Sequence, residues 1–121
     1  MSDFTTNEQL MAKAAYDAVE KRKEEADFKD YKSFALSFPA LIHSCGLVQA
    51  VAFAKAKKKD GFIDDIQAVF NKIDDAGDLQ KKSREADITE YMRITRHAIS
   101  AASWIKRYCQ ATDREGGENF A

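Results

Sequence analysis

Apolar side chains gather in two dense segments, and largely polar sequence separates them. The longer segment, Phe34 to Phe53, reads FALSFPALIHSCGLVQAVAF and holds the only proline, Pro39. His43, Ser44, Cys45 and Gln49 interrupt it, so it is too polar to span a membrane, which takes roughly 20 apolar residues. It predicts two core helices meeting at a glycine corner, with Gly46 in the left-handed conformation that ends the first. Pro39 removes a backbone donor and predicts a kink or a restart, with Ser37 as the cap of the restarted helix. The second dense segment is Tyr91 to Ala111, YMRITRHAISAASWIKRYCQA.

Periodicity fills in the rest. Thr5 and Glu8 form a capping-box pattern ahead of a helix to about Glu25, whose stripe is Met11, Ala14, Ala15, Ala18 and Val19. Its end, EKRKEE, reads as solvated. Asp27 caps a helix bearing Phe28, Tyr31, Phe34, Ala35 and Phe38 at spacings of three and four. After Gly46, a helix to about Lys58 packs Leu47, Val48, Val51 and Ala52. Asp60-Gly61 reads as a turn, and Phe62, Ile63, Ile66, Val69, Phe70 and Ile73 mark the next helix. Residues 78–87 are polar apart from Leu79, and Asp87 with Glu90 caps a last helix from Ile88. That helix either runs unbroken to Thr112 or breaks at Thr95. The expected fold is all-α, a single-domain bundle of about five to six helices over residues 1–112, with 113–121 as a flexible tail.

Composition agrees. Gly and Pro together are too few for a β domain that turns every 8–12 residues or so, and 121 residues suit one domain. The first residues lack the basic and apolar regions of a signal peptide, so Cys45 and Cys109 read as free thiols of a cytoplasmic protein.

Net charge is only −1, but its distribution is blocked. Residues 1–30 carry net −3 and residues 60–90 net −5, whereas 31–59 carry +5 and 91–112 carry +4 with no acid in either block. The basic blocks coincide with the apolar segments, which is how one face of a small domain becomes attractive to polyanions; solvated helix flanks are the plainer reading. The cations concerned are Lys55, Lys57, Lys58 and Lys59 in one block and Arg93, Arg96, Lys106 and Arg107 in the other. On a helix, Arg93, Arg96, Ser100, Ser103, Trp104 and Arg107 share one arc and Lys106 falls off it. Arginines over a hydroxyl floor suit phosphate, and Trp104 suits either a stacked base or the edge of a core stripe.

Enzyme chemistry finds no foothold. There is no phosphate loop, no His-Glu-x-x-His and no nucleophile elbow. His43, Cys45, His97 and Cys109 supply zinc-ligand types without paired zinc spacing, and Asp64-Asp65 and Asp74-Asp75 read as caps or solvated ends. No catalytic residue, metal, cofactor or small-molecule substrate is expected.

Two motifs resemble a known family. SFPALIHSCGLVQAVAFAKAK, Ser37 to Lys57, is similar to the PALI…GLVQ…AF signature of the small subunit of the Cmr complex, a type III-B CRISPR RNA-guided effector. Tyr91, Thr95-Arg96 and Trp104-Ile105-Lys106-Arg107-Tyr108 resemble its C-terminal signature, and AAYDAVEK, Ala14 to Lys21, also fits. Phe38 departs from the usual leucine, and His97 from a frequent glutamate. The resemblance implies a non-catalytic helical bundle. Several copies would stack beside the backbone subunits and line the channel where target RNA pairs with CRISPR RNA. The basic residues above are expected to face that RNA, and the acidic blocks to meet neighbouring copies. A helical protein–protein adaptor with no RNA role is the alternative from another class.

Overall fold

The computed structural model describes the backbone of residues 5–115 and the side chains of residues 5–112. Six helices, and no strand, form among them: α1 (Asn7–Arg22), α2 (Phe28–Cys45), α3 (Leu47–Ala56), α4 (Asp60–Phe70), α5 (Leu79–Glu85) and α6 (Ile88–Glu115). α6 is the central member, packing on α1, α2, α4 and α5, while α3 closes the far side against α2, α4 and α5. α6 runs unbroken through Thr95 and past Thr112, and residues 116–121 of the expected tail lie outside the described residues.

Close approach explains the centrality of α6. Its inner face presents Ala98, Ala101 and Ala102 between Ile94 and Ile105, all fully buried, and the helices it packs on bury Ala15 of α1 and Ala35 of α2 as completely. Alanines at the contact let helix axes approach toward the short end of the usual 8–10 Å. The long aromatics collect at the α2–α4 seam, where the Phe62 ring lies 5.1 Å from Phe38, 5.3 Å from Phe34 and 5.6 Å from Tyr31.

Several local expectations need correction. The capping box is Thr6 with Gln9, one residue later than Thr5 with Glu8; the run TTNEQ contains both patterns in overlap. α2 passes through Pro39 without restarting, and the Ser37 hydroxyl donates back to the Phe34 carbonyl at 3.2 Å rather than capping a new helix. Pro39 is itself buried, as are Ala35, Phe38 and Ile42 of the same helix, so tertiary packing carries the helix through the missing bond. In α3 the buried stripe is Leu47, Ala50, Val51 and Ala54, leaving Val48 and Ala52 exposed. Gly61 lies in the first turn of α4, not in a loop.

That glycine has a partner 39 residues away. The Arg22 guanidinium at the end of α1 crosses the α4 backbone, donating to the Gly61 carbonyl at 3.1 Å and to both Asp65 oxygens at 2.9 and 3.3 Å. A Cβ on Gly61 would sit 2.9 Å from Arg22 Nη2. The buried Tyr31 hydroxyl donates to the same carboxylate at 2.6 Å. Its bond to Asp65 raises Arg22 well above the ordinary arginine value, and burial with the Asp65 charge raises Tyr31 well above the ordinary tyrosine value, so Arg22 stays charged and Tyr31 stays a neutral donor at neutral pH. The end of α1 is therefore pinned through Arg22, while Lys21, Glu24 and Glu25 beside it are exposed as expected.

Gly46 makes the corner. Its φ of 87° is positive as expected, but its ψ of 161° takes it to the mirror-extended region open essentially to glycine alone, not to the left-handed helical region. It ends α2, donating to the Ile42 carbonyl at 2.8 Å, and starts α3, accepting from Ala50 at 3.0 Å. The Tyr91 hydroxyl of α6 lies 3.3 Å from where a Cβ would stand and accepts the free Val48 N–H at 3.2 Å. Gly46→Ala is expected to cost about 1–3 kcal/mol, and Tyr91→Phe about 1 kcal/mol, both measured as shifts in urea unfolding. An unchanged midpoint for Gly46→Ala would show that the corner is not conformationally restricted.

Candidate nucleic-acid interface

Each predicted cation has a distinct setting. Arg93 is held: its Nε and Nη2 donate to the buried Asp74 carboxylate at 3.1 Å each, with Glu90 4.0 Å away. One turn on, His97 Nδ1 lies 2.7 Å from the same carboxylate, and the Ala76 N–H adds a bond at 2.9 Å. Arg96 is exposed and has no ion-pair partner among the described residues. Lys106 is half-buried on the flank of α6. Arg107 is exposed, with its guanidinium 5.3 Å from the centre of the Trp104 ring.

Trp104 takes the core-edge setting of its two expected roles and keeps part of its surface open. It is half-buried against the core and stacks on Tyr108 at 5.9 Å, while Tyr108 meets Tyr16 of α1 edge-on at 5.5 Å. Its remaining surface lines a groove of about 300 Å³ between α1 and α6, shared with Glu8, Met11, Ser100, Ser103 and Arg107. The unbroken helix thus gathers Arg96, Ser100, Ser103, Trp104 and Arg107 on one outward arc, as the 100° step predicts.

The lysine block sits elsewhere, at the end of α3. Lys55 is exposed and 3.9 Å from Asp60; Lys57 and Lys59 lie over the Phe53 and Phe34 rings at 5.5 and 5.9 Å. Lys58 has φ of 60°, the one non-glycine residue at positive φ among those described. It occupies the left-handed position that closes the helix, where the Lys59 N–H reaches back to the Ala54 carbonyl at 2.9 Å. Glycine is the usual residue there, so lysine carries a strain cost. Among the described residues, no hydrogen bond, ion pair or ring contact joins the lysine block to the α6 arc. The two basic blocks therefore lie on different elements, one at the end of α3 and one along α6.

The zinc-type residues do not converge. Among the described residues no group of three or more His, Cys, Asp or Glu is placed to hold a metal. Cys45 donates to the Leu41 carbonyl, and Cys109 is buried, which pushes its thiol up to about 12 and makes it a packing residue. Sequence reading took Glu8 for a capping partner and Asp74 for a cap or solvated end, and so missed their places here. Asp74 is the buried counter-charge that ties the loop after α4 to α6, and its sequence signal was one carboxylate of an adjacent pair just past an apolar stripe. No helix among the described residues is long and apolar enough to cross a membrane.

Fold and surface define a class: a small all-α bundle with a filled interior and cations gathered on an outer helix face. The family model for "CRISPR-associated protein (Cas_Cmr5)" matches residues 7–112. A Thermus thermophilus protein named CRISPR system Cmr subunit Cmr5 is 33% identical over 113 residues, covering 91% of this chain and 98% of the relative. The crystal structure of a CRISPR-associated Cmr5 family protein from the same organism is similar at a TM-score of 0.80 and 31% identity, over 89% of this chain and 97% of that one. The chain belongs to the Cmr5 family, the small subunits of the type III-B Cmr system.

Asp74 gives this region a pH signature. Burial alone would raise its carboxyl, but the bonds from Arg93, His97 and the Ala76 N–H outweigh burial and hold it at about 2, below the ordinary 3.8. Its stabilising contribution is complete above pH 4 and is lost as pH falls toward 2. The loss is on the order of 2 kcal/mol. Asp74→Asn is expected to be less stable than wild type at neutral pH and nearly equal to it at pH 2, measured by urea unfolding at each pH. A constant gap between the two proteins would place the stabilising charge elsewhere.

Proposed function

We propose that this chain is a non-catalytic small subunit of a cytoplasmic type III-B effector complex. It stacks in several copies beside the backbone subunits and lines the channel that holds guide and target RNA. The observation that carries the reading is the outward arc of α6. Arg96 and Arg107 are exposed and lack carboxylate partners among the described residues, two serine hydroxyls lie between them, and the arc falls inside one of the two family motifs. Unpaired exposed arginines attract phosphate and retain their full capacity for charge-assisted bonds. Arg93 adds to the local field, but its guanidinium is committed to Asp74.

The lysines at the end of α3 form a second contact. Lys58 keeps a charged side chain at a position where glycine would relieve strain, and strain retained at a surface residue favours a functional reading. The acidic stretches, net −3 over residues 1–30 and −5 over residues 60–90, provide the complement that a neighbouring copy's basic patch requires. A bundle this small presents few phosphate contacts by itself, so affinity arises from the array of copies.

Co-purification from the native host with a tagged chain tests the reading. Large CRISPR backbone subunits and short repeat-derived RNA are the expected partners; a single unrelated protein without RNA would favour the adaptor. In the recovered complex, Arg96→Gln/Arg107→Gln is expected to weaken target-RNA binding and to flatten its dependence on salt. The slope of log affinity against log salt should fall in magnitude by about 1.4 for each pair of lost phosphate contacts. Binding and slope identical to wild type would remove the α6 arc from the interface.

A further inference from the structure

We infer that the groove between α1 and α6 is a subsite for one unpaired nucleotide of RNA, its base against Trp104 and its phosphate on Arg107, an inference that rests on the RNA reading above. The balance of the groove's lining distinguishes a single nucleotide from a duplex backbone. From Ser100 to Arg107 the helix rises about 10 Å, a length over which duplex nucleic acid carries several phosphate charges. The groove offers one cation, Arg107, and one anion, Glu8. A run of phosphates would be opposed by that carboxylate and met by too few cations.

One nucleotide matches the same lining. An aromatic base has a π face for the indole and the adjoining Met11, and stacking of this kind is tolerant of sequence. The base edge carries N–H groups, and a carboxylate such as Glu8 is an acceptor for them. Ser100 and Ser103 both donate and accept, which suits ribose hydroxyls as well as phosphate oxygens. The groove volume, about 300 Å³, is of the order that a single nucleotide occupies. In the free protein Arg107 rests over the indole at 5.3 Å. A base taking that face releases the guanidinium to its own phosphate.

Trp104 is the only tryptophan in the chain, so its emission reports on this groove alone. The full chain is titrated at low salt with a labelled adenosine hexanucleotide RNA and with a labelled RNA duplex. Anisotropy reads total binding and Trp104 emission reads the groove. The expected result is quenching by the single strand and little change with the duplex. Trp104→Leu is expected to weaken single-strand binding about tenfold while leaving duplex binding within about twofold. Should that variant fold poorly, the exposed substitution Arg107→Gln is expected to reduce single-strand affinity more than duplex affinity. Single-strand binding with unaltered Trp104 emission would overturn the subsite and leave the broader RNA reading standing. Binding of neither RNA would overturn the subsite, while the broader RNA reading, which rests on an array of copies, stands or falls with the co-purified complex.

Discussion

The bundle depends on a one-residue corner. α2 and α3 are joined by Gly46 alone, which ends one helix and starts the next with a backbone conformation that a side chain would strain. That conformation leaves the first N–H groups of α3 without helical acceptors. Tyr91 of α6 supplies one, its hydroxyl reaching Val48 across 43 positions of sequence. The two motifs that carry the family resemblance therefore touch each other here. At the opposite end of the bundle, Arg22, Tyr31 and Asp65 tie α1, α2 and α4 together over Gly61. Between these two pins, the alanines of α1, α2 and α6 let the helices close up.

This construction leaves α6 with two tasks on two faces. Ile94, Ala98, Ala101, Ala102 and Ile105 are fully buried, and that burial fixes the helix's rotation. Once rotation is fixed, the outward direction of Arg96 and Arg107 follows from the helical step. The boundary between the faces is held by residues with partners on both sides: Arg93 and His97 on Asp74, and Trp104 against the core and under Arg107. A cation on such a helix is positioned by the core, so its presentation does not rely on flexible loops.

Much of this was legible in sequence because helical periodicity is a local signal. The stripe Phe62, Ile63, Ile66, Val69 and Phe70 is buried as its spacing requires, and Asp87 caps α6 through a 2.9 Å bond from the Glu90 N–H. The glycine corner was visible because Gly46 followed a dense apolar run. What escaped were features decided by distant partners. Gly61 looked like a turn because the sequence cannot show Arg22 lying over it. Arg93 looked like its neighbours Arg96 and Arg107 because Asp74 is 19 residues away. Pro39 looked like a kink or a restart because local propensity does not include tertiary packing.

The direct test is where RNA lies on this chain within an assembled complex. Ultraviolet cross-linking of the complex purified from its host, followed by mass spectrometry of RNA-linked peptides, reads that position without any mutation. Cross-links are expected on peptides spanning residues 96–107 and on those ending at the lysines of residues 55–59. Cross-links confined to the backbone subunits, with none on this chain, would contradict an RNA-lining role and leave it a purely structural member of the assembly.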